Sequence, residues 1–426
     1  MRAVFDLELH SKYARAVSKD MVPENMAEWA VKKGIDVLGT GDFTHPAWFK
    51  ELKEKLEPAE PGLFKLKRLP QTEFGARAKD ARFLLQGEIS CIYSKKGRVR
   101  RVHQLVYAPS FEVVEKINNK LNWIGNLKAD GRPMLGLDSK KLLEIMLEAS
   151  PEAYLIPAHA WTPWFGIFGS KSGFDSLEEC FDELTPRVFA IETGLSSDPP
   201  MNWRIPFLDE KAIVSGSDAH SLPKMGREAT VLDVPELSYK NIFDAIKSRD
   251  PKRFLSTIEF FPEEGKYHYD GHRDQGHSQS PEETKKAGGK CAKCGNSVVV
   301  GVMSRVEELA VKNRPEGYSD PKRAPFRKLV PLQEIIAEAL GVTSQTKNVK
   351  KTYEDLVKNI GSEFKILLES TREEIIGASG NVKIAEAVLR VREGKIKIEP
   401  GYDGEYGKVK IFKEGEKLEE PQKSLF

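Results

Sequence analysis

Carboxylates and imidazoles recur along the first half of this chain, each beside an apolar run. They are Asp6, Glu8 and His10 in DLELH, Asp42 and His45 in GDFTH, Glu88 after Gly87, and His103 after Val102. His159 in PAHAW, Glu192 in AIETG, and Asp218 and His220 in SDAH complete the series. Of the 8 histidines in the chain, five stand in these motifs. Hard oxygen ligands mixed with imidazoles suit a site for several divalent cations. A single buried histidine beside a strand is ordinarily a core residue. A long series of acids and imidazoles is different, because each would cost several kcal/mol if buried without a partner. No Ser-His-Asp or Cys-His arrangement competes with this reading. Cys91 and Cys180 are isolated and read as inert buried thiols.

The elements that must position these groups alternate. MAEWAVKK reads as a helix before the strand IDVLGTGD, and FEVVEKINNKLNWI as a helix after the strand RVHQLVYA. KKLLEIMLEAS precedes the strand AYLIPAHA, and VFAIETG, AIVSGSDAH and ATVLDV are further strands. Strand-then-helix units at this spacing predict a largely parallel sheet, open or closed into a barrel, with the ligands at the C-terminal strand ends. The composition changes near residue 258. The stretch 259–296 is polar, Gly-rich and aperiodic, so it needs a staple to fold. Helical patterns follow (VGVMSRVEELAVK, PLQEIIAEALG, VKKTYEDLVKNIG, FKILLES, NVKIAEAVLRVREG), then a hairpin, KIKIEPGYDGEYGKVKIF, and a charged tail. Three regions are expected: 1–257, 258–300 and 301–426.

With 66 basic and 64 acidic residues the net charge is +2, which argues against a histone-like binder but leaves room for a local basic groove. No apolar run is long enough to span a membrane. MRAVFDLELH reads as a strand, not an export signal. Four cysteines, two of them in one CxxC, fit a reducing, cytoplasmic setting better than a disulfide framework.

CAKCGN, with Cys291 and Cys294, has the form of a zinc knuckle, and His268, His272 and His277 lie just upstream. Two thiolates plus two of these three histidines would complete a tetrahedral structural zinc, which would also explain how so polar a segment folds.

In order and context the ligand motifs resemble the PHP phosphoesterase superfamily. That resemblance implies an α/β fold, a distorted β/α barrel with metals at the strand C-termini. Glu8 stands where the family has its first histidine, and Phe43 replaces a histidine after Asp42. The implied ligands are Glu8, His10, Asp42, His45, Glu88, His103, His159, Glu192, Asp218 and His220. Glu88, His159 and Asp218 are the implied catalytic centre, and the implied metals are two or three of Zn2+, Mn2+ or Mg2+. Phosphodiester hydrolysis needs a hydroxide nucleophile and stabilisation of the oxygens that gain charge, and closely spaced metal ions supply both.

The full arrangement is barrel, then YHYDGHR…CAKCG, RVEELA, PLQEIIAEALG and PGYDGEYGKVKIF. It resembles the endonuclease Q family across essentially the whole chain. The family implies a DNA-repair endonuclease that nicks 5′ to deaminated bases (uracil, hypoxanthine, xanthine) and to abasic sites. Rival readings are a PHP phosphatase acting on a small ester and a non-catalytic DNA-binding repair scaffold.

In KKGRVRRVH, Lys95, Lys96, Arg98, Arg100 and Arg101 suit phosphate contacts or a solvated basic hairpin. PKRAPFRK, residues 321–328, offers the same choice. The loop WTPWFGIFG, with Trp161, Trp164, Phe165 and Phe168, suits either a stacking surface for an extruded base or a packed lid. At the C-terminus, Gln422, Leu425 and Phe426 form a shortened sliding-clamp (PCNA) box, since apolar residues on a charged tail tip suggest a partner.

Overall fold

The computed structural model describes residues 1–413 and 415–416. Gln422, Leu425 and Phe426 lie outside the described residues. The strands that position the candidate ligands are, in chain order, β1 (Arg2–Asp6), β2 (Val37–Gly39), β3 (Arg82–Lys95), β4 (Arg98–Ala108), β5 (Tyr154–Pro157), β6 (Ala190–Glu192), β7 (Ala212–Val214), β8 (Ala229–Asp233) and β9 (Phe254–Glu259). Their valine, leucine and isoleucine runs are buried on both faces, as strands inside an α/β layer must be.

β1 runs parallel to β2, and β2 parallel to β3. β3 and β4 form a long antiparallel hairpin, registered from Leu85↔Ala108 to Lys95↔Arg98, and β5 pairs antiparallel with β4. β6 and β7 are parallel. Ala160 N donates to Glu192 O at 3.0 Å, joining the end of β5 to β6. A bridge between Leu9 and Ala219 joins the segments after β1 and β7. The strands therefore bend round in the manner of a distorted PHP-type barrel. β8 closes antiparallel on β1, and β9 on β8.

The sheet is mixed, not largely parallel as its sequence pattern suggests. Only Lys96 and Gly97, both with positive φ, stand between β3 and β4. A two-residue turn of that kind forces a hairpin, whereas a parallel neighbour needs a crossover of a dozen residues or more.

Beyond the barrel, a small hairpin (Asp270–His272 with His277–Gln279) precedes a short helix, Pro281–Lys286, and the CxxC turn. A helix, Val302–Leu309, follows, and then helices Leu332–Leu340, Lys347–Ile360, Glu363–Leu368, Arg372–Ser379 and Val382–Arg392. The sequence pattern had not marked Arg372–Ser379, although a capping box between Thr371 and Glu374 opens it. In Lys347–Ile360, Val349, Tyr353, Leu356 and Val357 form the buried stripe expected of an amphipathic helix. The terminal hairpin pairs Lys397–Glu399 with Lys408–Lys410, as its sequence predicts.

The helical bundle is fixed to the barrel by a buried ion pair, Lys33 Nζ to Glu363 Oε2 at 2.7 Å. Glu363 also accepts from Tyr353 Oη at 2.9 Å and from Leu332 N at 3.0 Å. This supplies the full set of partners that a buried charge requires.

Candidate metal centre

Most candidate ligands sit at or just past a strand end, but Glu88 and His103 do not: both lie inside the long β3–β4 hairpin, which continues beyond the site. Three of the candidates, Asp42 (φ 47°), His159 (φ 27°) and Asp218 (φ 45°), adopt left-handed backbone. That conformation strains a non-glycine residue and tends to persist at functional sites. Glycines leave the room the side chains need. A Cβ on Gly216 would stand 2.6 Å from Glu192 Oε1 and 2.8 Å from Glu8 Cβ.

Glu88 lies at the middle. Its Oε2 is 3.0 Å from both His10 Nε2 and Arg132 Nη1. Its Oε1 is 2.6 Å from His103 Nδ1 and 3.2 Å from His159 Nε2. Asp218 Oδ1 is 3.2 Å from His10 Nε2 and 3.5 Å from His220 Nδ1. Three overlapping sets result: Glu88/His103/His159, His10/Asp218/His220 and Glu8/His10/Glu88/Asp218. Within each, one donor atom per residue lies within 4.8 Å of the others. Shared members mark Glu88, His10 and Asp218 as the junction between neighbouring positions. Glu192 lies alongside, its Oε2 accepting from His159 N at 2.9 Å.

The charge balance of this cluster calls for cations. Both carboxylate oxygens of Glu8 and the Oε1 of Glu192 are buried without a hydrogen-bond partner. An orphaned buried acceptor costs about 1–3 kcal/mol. Burial, then repulsion from Glu192, Asp218 and Glu88, pushes Glu8 well above the usual carboxylate range. Burial pushes Glu192 up to about 7. Burial would raise Glu88 as well, but Arg132, His103 and His10 outweigh it and hold it well below. His103 is lowered to about 4 by burial. The donors, mixed carboxylate and imidazole, fit divalent ions, and the orphaned oxygens point inward to take them. The centre is a divalent-metal site.

Three expected ligands do not join these sets: Glu192, which lies alongside, Asp42 and His45. Asp42 is spent on orientation. Its Oδ1 lies 2.9 Å from His10 Nδ1, and its Oδ2 accepts from Ser11 N and Oγ at 2.6 and 2.7 Å. Such a partner fixes the tautomer and direction of a ligating imidazole. His45 instead caps the helix Pro46–Lys55, its ring accepting from Trp48 N, and stacks on Tyr13 at 4.4 Å. Pro46 starts that helix, which turns His45 back onto the helix's own N–H groups. Asp6 accepts from Ser217 N and Gly226 N, both at 2.9 Å, and so secures the loop that carries Asp218. Arg132 was not marked by sequence. A lone arginine in a DGRP turn carries no signal of its own.

The rim divides. Trp161 and Phe168 are fully buried and pack together at 5.1 Å, with Trp161 Nε1 donating to Asn202 Oδ1 at 2.7 Å. They are core residues, not DNA contacts. Phe165 (φ 70°) lies over the His103 ring at 4.4 Å. Trp164 is 40% exposed and meets Tyr267 edge-on at 5.8 Å. Arg98 and Arg101 are exposed. Arg100 is not: it donates to Gly173 O and stacks on Phe174 at 4.2 Å, so it braces the loop and cannot reach a phosphate. Arg323 and Lys328 are likewise engaged, by Asp209 at 2.7 Å and Asp198 at 2.8 Å.

At the CxxC turn, Cys291, Cys294 and His272 form a further three-donor set, with His272 Nδ1 at 3.2 Å from Cys294 Sγ. His277 is registered opposite His272, and its Nε2 is buried without a partner. His268 is directed elsewhere. It is buried beside Tyr269 at 5.1 Å, and burial lowers its pKa against the opposing pull of Glu263 and Asp198. Cys91 and Cys180 are free and buried, and burial pushes Cys180 up to about 12.

A mixed sheet of PHP type on which carboxylates and imidazoles converge is the fold and site of a metal-dependent phosphoesterase. Residues 210–251 match the family model described as PHP-associated, and residues 331–395 that of the MJ0043 C-terminal domain. The lesion-specific endonuclease PfuEndoQ of Pyrococcus furiosus superposes with a TM-score of 0.82 at 30% identity, covering 96% of this chain and 95% of that one. An Endonuclease Q complex with a 27-mer duplex bearing an abasic lesion gives 0.81 at 30% identity, covering 97% and 98%. The uncharacterized protein YqxK of Bacillus subtilis is 28% identical over 90% of this chain and 91% of its own. The uncharacterized protein MJ0043 of Methanocaldococcus jannaschii is 35% identical over 59% of this chain, a segment that makes up 31% of that longer protein. The chain belongs to the endonuclease Q family and is a hydrolase of phosphodiester bonds. Among the described residues, no helix is long and apolar enough to cross a membrane.

Proposed function

We propose that this chain is a DNA-repair endonuclease that cuts the phosphodiester 5′ to deaminated bases (uracil, hypoxanthine, xanthine) and to abasic sites, leaving a 3′-hydroxyl. The observation that carries the reading is the convergence of Glu88, His159 and Asp218 in a chain that matches Endonuclease Q, a duplex complex included, along nearly its whole length. Glu8, His10, Glu88, His103, His159, Glu192, Asp218 and His220 are the proposed ligands. They would hold two or three ions among Zn2+, Mn2+ and Mg2+. Bound there, such ions would lower the pKa of water and neutralise phosphate charge.

The protein's own groups account for the rest. Glu88, touching His10, His103 and His159, spans the junction between metal positions. Asp218 and His220 close the opposite side. Asp42 locks the His10 ring. Arg132, 3.0 Å from Glu88, brings a cation to the mouth, where a phosphate would approach. Cys291, Cys294, His272 and His277 are proposed to hold one structural zinc that folds region 258–300, between the barrel (1–257) and the helical DNA-binding region with its hairpin and tail (301–426). The tail box Gln422, Leu425 and Phe426 is proposed to bind the sliding clamp PCNA, and its deletion should remove that binding alone. The four free cysteines accord with a cytoplasmic setting.

One gel tests the central claim. A labelled duplex with a single uracil, hypoxanthine or abasic site is incubated with Mn2+, Mg2+ or Zn2+. A nick 5′ to the lesion, lost in Asp218→Ala, is expected. Tight binding without nicking would favour a scaffold. Hydrolysis of small phosphate esters alone would favour a phosphatase.

A further inference from the structure

Beside the metal centre lies an exposed apolar ridge. Trp123 is 92% exposed, Met134 69% and Ile124 38%. Single exposed apolar residues are ordinary, but a cluster in one segment marks a contact surface. These residues are held near one another. A Cβ on Gly125 would lie 2.6 Å from Leu135 Cδ2 and 3.9 Å from the Met134 carbonyl, so the backbone just after Trp123 passes against Met134.

The ridge belongs to the mouth of the site. Met134 is registered against Ser90, two residues beyond Glu88 on β3, and Ser90 N donates to Pro133 O at 3.0 Å. Arg132 reaches Glu88, and Gly131 N donates to Tyr13 O at 3.1 Å. The segment is braced, not loose: Asp130 Oδ1 accepts from Arg132 N at 3.0 Å and Arg15 N at 3.2 Å, and Asn118 holds Phe43 O at 2.9 Å. Asp130, the acid here, is thereby spent on backbone N–H groups. With Arg132 paired to Glu88, the exposed Lys128 and Arg15 outnumber Asp130 at this surface. A flat apolar ring among cations, beside a phosphodiesterase centre, fits the stacked bases and phosphates of nucleic acid.

We propose that Trp123, supported by Met134 and Ile124, stacks into the duplex next to the lesion and fills the gap left when the damaged nucleotide enters the metal centre. The inference rests on the lesion-endonuclease reading and adds to it a residue that opens duplex substrate. Extruding a nucleotide from a duplex costs unstacking and unpairing that a single strand does not demand. Trp123 therefore matters only where there is a stack to open.

The test compares kcat/KM of the metal-loaded wild type, Trp123→Ala and Trp123→Phe on one abasic sequence, presented as duplex and as single strand, alongside thermal melting. Trp123→Ala should lose about tenfold on the duplex, which corresponds to about 1.4 kcal/mol. It should stay within about twofold on the single strand, with an unchanged Tm, and Trp123→Phe should recover most of the loss. Unchanged duplex cleavage, or an equal loss on both substrates, overturns the stacking role alone. A wild type that cuts neither substrate overturns the lesion-endonuclease reading beneath it.

Discussion

The metal centre and the aromatic rim are built from residues of equal prominence in the sequence, yet they behave oppositely in the fold. At the centre, Glu8, His10, Glu88 and Glu192 are all fully buried, and each needs a partner. At the rim, Trp161 and Phe168 are just as buried, and the one polar group between them, Trp161 Nε1, is met by Asn202, while Trp164 is 40% exposed. A buried acid costs several kcal/mol unless something compensates it, so its presence in an apolar run already implies a ligand or an ion. A buried tryptophan is simply favourable, so an aromatic stretch does not disclose which rings face inward.

That contrast can be broken in several places. The largest effect belongs to the centre. Asp218→Ala or Glu88→Ala should lower nicking by about a thousandfold or more, in line with loss of a principal electrostatic group. Their far-UV circular dichroism should stay native, because each variant removes an acid from a crowded pocket. Next comes the rim's buried half: Trp161→Ala should destabilise the chain by about 3–5 kcal/mol, read by denaturant unfolding. Trp164→Ala should stay within about 1 kcal/mol of wild type and instead blur discrimination between uracil-containing and undamaged DNA. Equal destabilisation by the two would erase the distinction between packed and exposed rings.

Smaller is the effect of pH on metal uptake. The folded, metal-free protein keeps protons on Glu8, which is pushed well up, and on Glu192 up to about 7. Both groups therefore bind more protons folded than unfolded, and the stability they give the metal-free fold is lost as pH rises from the ordinary carboxylate range through 7. Divalent ions must displace these protons, so the rise in Tm on adding Mn2+ should be greater at pH 8 than at pH 6. The smallest expected change is at the basic hairpin. Arg98→Ala and Arg101→Ala should each reduce the salt dependence of DNA binding by about one unit of slope. Arg100→Ala should cost stability instead.

Much of the site was legible because its chemistry is costly. Glu88, His103, His159, Asp218 and His220 converge as the motif order implied. Asp42 and His45 fall outside the three donor sets because spacing along the chain is the same whether a side chain meets a metal, steadies a neighbouring ring or caps a helix. Arg132 was invisible because its importance comes from a turn that folds back onto β3. The sheet's parallel reading failed at Lys96-Gly97, where a two-residue turn outranked the strand-helix rhythm. Among the zinc-module histidines, the x3 spacing of His268 to His272 suits zinc as well as the x4 spacing of His272 to His277. Only the hairpin register sets His272 and His277 opposite one another, with His272 against the cysteines.

The ion pair between Lys33 and Glu363 bears on inheritance. Residues 331–395 are recognisable as a transferable unit, yet in this chain that unit supplies the only carboxylate within ion-pair reach of Lys33 among the described residues. A recombination event that removed the bundle would take Glu363 and the stripe of Lys347–Ile360 with it, and would uncover Lys33 together with Trp29, whose ring stacks on Tyr353. A barrel descended from such a loss could keep Lys33 in water but would have to replace or cover Trp29. Shuffling the two halves as genes therefore means adapting a seam, Lys32, Lys33 and Trp29 together, and not one position.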